Sequence, residues 1–141
     1  MTEIESILEG LLTETGASRV TLRQDISGDQ AFPVTHEALA PGVGSLKSER
    51  TVDLRTQPVA LEVVRRGQVV QNDCRTAYDD PAFQRMLEVY GGLAAQIVTS
   101  VVVDGSVAGI VSVHQLGTVR RWTEDEIEAC RQATARLAAL L

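Results

Sequence analysis

Apolar residues recur along the chain with two alternating periods, and the switches between them divide it into elements. Ile4, Ile7, Leu8, Leu11 and Leu12 fall at helical spacing, Thr2 with Glu5 forms a capping box ahead of them, and Gly16 supplies a stop. This predicts an amphipathic N-terminal helix. From Arg19 to Gln24 the period changes to two, with Val20 and Leu22 on one side and Arg19, Thr21 and Arg23 on the other, as in a strand with two unlike faces. Ile26 to Pro33 reads as loop and Phe32 to Leu39 as room for a second short strand, while 40–53 shows no period and predicts no element. Pro58 suits a first helical turn, Val59, Ala60, Val63 and Val64 make a stripe behind it, and Gly67 fits the position just past the end.

Gln68 to Asn72 then reads as a short strand. Asp79 and Asp80 offer N-caps to a third helix, with Pro81 near its start, Phe83, Met86, Leu87 and Tyr90 inside it, and Gly91-Gly92 ending it. Two β-branched runs, Ile97 to Val103 and Ser106 to His114, flank Asp104-Gly105, a dipeptide suited to a type I′ turn, and together predict a β-hairpin. Thr123 and Glu126 form a second capping box. Trp122 is placed to staple onto Ile127, and Ile127, Cys130, Thr134, Leu137 and Leu141 step along one stripe of a last helix. The order of elements predicts a mainly antiparallel sheet with helices segregated around it.

Composition narrows the function classes. At 141 residues, 44% hydrophobic and 23% charged, the sequence has the size and proportions of one domain, 1–141. A net charge of -6, with basic pairs only at Arg65-Arg66 and Arg120-Arg121, argues against nucleic acid. Met1 to Glu9 is acidic where a signal peptide is basic, and no apolar run approaches the roughly 20 residues of a membrane span, so a cytoplasmic protein without a membrane partner is expected. Cys74 and Cys130 belong to no metal-ligand pattern and are expected as free thiols. No Gly-rich phosphate loop follows a strand, which excludes a Rossmann reading.

Three blocks, Gln68-Val69-Val70-Gln71-Asn72-Asp73, Val101 to Val113 around Asp104-Gly105, and Trp122-Thr123-Glu124-Asp125-Glu126-Ile127, give the chain a resemblance to the GAF domain family over nearly all its length. The resemblance implies an α+β, profilin-like and PAS-related fold: a central antiparallel sheet, terminal helices on one face, and a pocket under helices and loops on the other. It also implies a sensory or regulatory module, commonly a homodimer through its terminal helices, and the apolar stripes of those helices fit that expectation. Family members bind diverse small molecules, so the resemblance selects no ligand and no cofactor.

In the hairpin, Ala108, Ile110, Ser112 and His114 share one row; facing the implied pocket beside Thr21 and Arg23, they would add a few polar groups to an apolar site. Arg23 is a candidate for a carboxylate or phosphate, or else a strand-surface arginine. His114 is a candidate haem ligand or proton switch, or else a structural hydrogen-bonding group. Tyr78, Phe83 and Tyr90 fall where the family's pocket lid lies and either stack on a planar ligand or pack. Cys74 is expected at the pocket rim, a candidate sensing thiol if a neighbour such as Arg75 lowers its pKa, and Cys130 as a structural one.

The reading that follows is a small-molecule-binding sensory domain with its ligand unidentified and no catalytic residues. A free methionine-(R)-sulfoxide reductase shares the resemblance but depends on several cysteines around the pocket, and Cys74 lacks a resolving partner because Cys130 sits in the opposite layer. A ligand-free dimerisation module with a filled pocket is the third reading. Neither cysteine precedes a histidine as at the phytochrome attachment site, no paired ligands suit haem, and the Asn-Lys-Phe-Asp-Glu signature of cyclic-nucleotide sites is not recognisable.

Overall fold

The computed structural model describes residues 1–25 and 32–141. The first helix, α1 (Glu3–Thr15), carries the expected reciprocal capping box between Thr2 and Glu5 and ends at Gly16 in the left-handed conformation. Strands β1 (Arg19–Gln24) and β2 (Val34–Leu39) follow; the loop expected over 26–33 lies outside the described residues from 26 to 31. Helix α2 (Pro58–Arg66) starts on its proline, and β3 (Gln68–Gln71) follows Gly67. Asp80 caps α3 (Pro81–Val89) by accepting from the Phe83 amide at 3.0 Å.

The hairpin runs longer than its β-branched cores, as β4 (Leu93–Val103) and β5 (Ser106–Leu116). Asp104 and Gly105 take φ of 51° and 79°, the two positive values that a type I′ turn needs. Helix α4 (Glu124–Ala138) closes the chain behind the second capping box, Thr123 with Glu126. Two short 3-10 turns that the periodicity does not reveal, Leu54–Thr56 and Cys74–Thr76, are each capped by an aspartate, Asp53 and Asp73.

The five strands form one antiparallel sheet in the order β2-β1-β5-β4-β3. On one face Val20, Leu22, Ile97, Val101, Val111 and Val113 pack with Leu8 and Leu11 of α1 and Cys130 and Leu137 of α4. Leu8 and Leu137 have 0% exposure, so the sheet takes up most of the apolar stripes that suggested a partner subunit. Arg120 ties this layer together: its guanidinium donates to the Thr15 carbonyl, the Glu126 carboxylate and Gln115, and lies 4.3 Å from the centre of the Trp122 ring. Against the other face pack Val59 and Val63 of α2, Phe83, Met86 and Leu87 of α3, and the loop residues Leu46, Val52 and Leu54.

Register decides what this second face presents. Gln71, Gln96, His114 and Arg19 are successive cross-strand partners and form one transverse row, and Val69, Val98, Ser112 and Thr21 form the next. Ser100, Ile110 and Arg23 form a third. Cross-strand neighbours on one face lie about 5 Å apart, so the first row is a polar belt across four strands.

Candidate functional site

The belt is buried and largely satisfied from within. Gln96 Nε2 donates to Gln71 Oε1 at 2.9 Å. Arg19, 1% exposed, donates from Nε to His114 Nδ1 at 3.1 Å, from Nη1 to the Gly44 carbonyl at 3.0 Å and from Nη2 to the Tyr90 carbonyl at 2.7 Å. A guanidinium only donates, so His114 Nδ1 accepts, and the neutral ring carries its proton on Nε2. Burial, with Arg19 and Arg23 adding repulsion, holds the His114 pKa well below its usual 6.5. A neutral, already bonded imidazole is no proton switch near neutral pH.

Arg23 is not the surface arginine that its sequence position allows, because β1 lies between β2 and β5 and the side chain is buried. Its Nη1 donates to the Phe32 carbonyl at 2.9 Å and its Nη2 to the Tyr90 hydroxyl at 2.7 Å. The Tyr90 ring stacks on His114 at 5.8 Å between centroids with 23° between planes. Burial raises the Tyr90 phenol pKa against the pull of Arg23, so the hydroxyl stays neutral. Arg19 is lowered to about 10, chiefly by burial and against the pull of Glu37, and remains charged at neutral pH.

Among the described residues neither guanidinium lies within 4.0 Å of a carboxylate oxygen. The hydrogen-bond acceptors of these two buried cations are thus all neutral, and Glu37 and Glu49 act on Arg19 and Arg23 only through space, which leaves part of a desolvation cost of several kcal/mol per ion uncompensated. Thr21, between them on β1, has a buried hydroxyl with no hydrogen-bond partner. Beside these groups lies a cavity of about 20 Å³ lined by Arg23, Met86, Tyr90, Gln96, Ser112 and His114, among others. Roughly 10–15 Å³ suffices for one water, and the polar lining suits one.

Of the eight candidate residues, five come together: Thr21, Arg23, Ser112 and His114 on the sheet, and Tyr90 above them. Three do not. Phe83 is fully buried, in edge-to-face contact with Tyr78 at 4.8 Å, and Tyr78 bonds through its hydroxyl to Glu62 beside a groove along β3. Cys74 lies in the core at 0% exposure and not at a rim, because the 3-10 turn that begins on it tucks the side chain inward. Burial and neighbouring Asp73 push its thiol up to about 12, which removes the sensing role expected of it. Cys130 is likewise buried, on the opposite face, with its thiol at about 12. Arg19 and Gln96 belong to the site and were missed, although alternation along β1 already put Arg19 on the face of Arg23.

A five-stranded antiparallel sheet with a terminal-helix layer on one face and a buried polar belt under a short helix on the other defines a small α+β module. Residues 2–141 match the GAF domain family model, and the chain belongs to the GAF domain family. No curated protein matches the sequence. The fold is similar to that of GAF3 from Slr1393 of Synechocystis sp. PCC6803 in its photoproduct state, with a TM-score of 0.78 at 17% identity over 97% of this chain and 89% of that one. It is also similar to the PixJ GAF domain of Thermosynechococcus elongatus in its blue-light absorbing form, at TM-score 0.72 and 21% identity over 98% and 86% of the two chains. The chromophore-binding domain of a bacteriophytochrome from R. palustris matches at TM-score 0.78 and 16% identity, over 97% of this chain and 52% of that one. Among the described residues no helix is long and apolar enough to cross a membrane, and no cluster of three or more metal-ligating side chains occurs.

Proposed function

We propose that this GAF domain is a sensor of a small anionic molecule bound on the sheet face beneath α3, at Arg23, Thr21, Ser112, His114 and Tyr90. The observation that carries the proposal is the pair of buried guanidiniums, Arg19 and Arg23, whose hydrogen bonds all go to neutral acceptors with no carboxylate in direct contact among the described residues. An anion there supplies the direct charged contact that is lacking, through bidentate, charge-assisted hydrogen bonds. The photoreceptor domains of similar fold support a sensory role, while an internal space of about 20 Å³, the room of about one water, takes no chromophore and admits a small anion only as a side chain around it gives way. Two buried thiols on opposite faces, both near 12, speak against cysteine redox chemistry of the sulfoxide reductase kind. Pairing of two copies through α1 and α4 belongs to the proposal as the route of output, and rests on Ile4, Leu12 and Leu141, which the sheet leaves only partly covered.

A thermal-shift panel of small carboxylates and phosphates tests the site. At a hundredfold excess over Kd a bound anion stabilises the fold by about 2.7 kcal/mol. At least one member is expected to raise the melting temperature of the wild type and to leave Arg23→Met unmoved. A panel that shifts both proteins equally, or neither, contradicts the site.

A further inference from the structure

We infer that the Tyr90 side chain is an internal stand-in for the ligand, holding the place of a planar aryl carboxylate that binds by displacing it; this rests on the anion-sensor reading above. Tyr90 presents a flat ring to the face of His114, 5.8 Å away, and an acceptor oxygen to Arg23 Nη2 at 2.7 Å, with the Arg23 guanidinium carbon 5.6 Å from the ring centre. Those contacts describe what the site recognises: one planar ring, stacked on an imidazole, with an acceptor at the guanidinium end.

The stand-in is incomplete in one respect. Its buried phenol stays neutral, so it gives Arg23 a single hydrogen bond and no charge. A carboxylate on a ring in the same place keeps the stack and adds two oxygens and a negative charge, which is the geometry a guanidinium fork matches best. The cavity of about 20 Å³ beside the ring, bordered by Ser112 and Gln96, leaves room for the second oxygen and little more. That limits the ligand to a single-ring acid.

The exchange falls to the side chain. Tyr90 is the C-cap of α3, and Gly91 and Gly92 follow it at φ of 88° and 81°, where residues with side chains are strained. The helix end is itself held, by the Tyr90 amide to the Met86 carbonyl at 2.9 Å, the Gly92 amide to the Leu87 carbonyl at 3.0 Å and Arg19 Nη2 to the Tyr90 carbonyl at 2.7 Å, so the exchange is a rotation of the ring about its side-chain torsions with the backbone in place.

The test uses benzoate, cyclohexanecarboxylate and acetate with protein carrying ring-¹³C tyrosine and ¹⁵N arginine. The chain has 2 tyrosines, so the ring spectrum resolves Tyr90 from Tyr78. Benzoate is expected to move the Tyr90 ring signals and leave those of Tyr78 in place, and to bind more tightly than cyclohexanecarboxylate, whose ring cannot stack. Tyr90→Phe keeps the ring but loses the bond from Arg23, so the stand-in is easier to displace. Its affinity for benzoate is expected to rise roughly tenfold, the scale of one hydrogen bond to a charged group. Benzoate binding that leaves Tyr90 unmoved, or an affinity that is unchanged or lower in Tyr90→Phe, overturns the inference. If acetate shifts the Arg23 side-chain signal while no benzoate exchange with Tyr90 occurs, the anion site stands and the stand-in falls. If none of the three acids shifts Arg23 in either protein, both fall.

Discussion

Burying two guanidiniums on one sheet face sets the electrostatics of every group around them, and His114 registers it most directly. Its pKa in the folded protein lies well below the unfolded value near 6.5, chiefly through burial. As pH falls, the unfolded chain therefore takes up a proton first. Above about pH 6.5 the ring is neutral in both states and gives no pH dependence; below it, stability declines by up to about 1.4 kcal/mol per pH unit until the depressed folded pKa is reached. The Glu49 and Glu62 pKa values are lowered as well, Glu49 against its burial by hydrogen bonds from Thr51 and Glu62 chiefly by that from Tyr78; for a carboxyl this stabilises the fold above the ordinary 4.5, and the stability is lost only as pH falls below it. Urea midpoints of the wild type are expected to change little from pH 7.5 to 6.5 and to fall from 6.5 to 5.5, and His114→Gln, which keeps an acceptor for Arg19 and does not titrate, is expected to lose this fall. At this scale the sequence was partly legible. Alternation placed Arg19, Thr21 and Arg23 on one face, but whether that face is solvent or interior depends on β2 and on the segment 32–54, where periodicity is weak. Cys74 misled for a similar reason, since no pattern announces a three-residue 3-10 turn held by Asp73.

Among the elements, the hairpin and β1 are locked together at one point. Gly109 pairs with Gln24, and a Cβ there would lie 2.8 Å from the Arg23 carbonyl oxygen and 3.3 Å from Leu22 Cδ1. Backbone cannot yield as a flexible side chain does, so Gly109→Ala must push β1 away from β5. The expected cost is about 1–3 kcal/mol of stability, read by urea unfolding, together with a displaced Arg23 backbone amide in the NMR spectrum. A variant as stable as the wild type would show that the two strands are not held at this spacing. The element boundaries were most legible where sequence signals are local and strong: both capping boxes, the Pro58 and Pro81 helix starts and the Asp104-Gly105 turn all stand where the residues put them. The hairpin was read short because Leu93 to Gln96 contains alanines and a glutamine, which are poor strand signals alone and become strand by pairing with His114 to Leu116.

For the molecule as a whole, the sheet separates two layers with different tasks. The α1 and α4 layer is apolar and fastened by Arg120, whereas the α2 and α3 layer encloses charge. The two meet at the edge of the polar belt. The His114 carbonyl accepts from the Ser18 amide just after α1, and the His114 ring accepts from Arg19. A ligand that draws Arg19 or Arg23 toward itself thus acts on residues directly continuous with the helix layer. The division into layers was legible from the order of elements, but the belt was not, because it is a product of cross-strand register, which joins residues as distant as Arg19 and Gln96 through His114. The central claim is that Arg19 and Arg23 form a buried anion site. Its most direct test is an arginine side-chain Nε–Hε NMR spectrum recorded during titration with a library of small carboxylates. The account predicts that one class of acid shifts the Arg19 and Arg23 signals selectively, with those of exposed arginines such as Arg85 unmoved. Signals of Arg19 and Arg23 that hold still throughout, or move only together with those of every surface arginine, would contradict it.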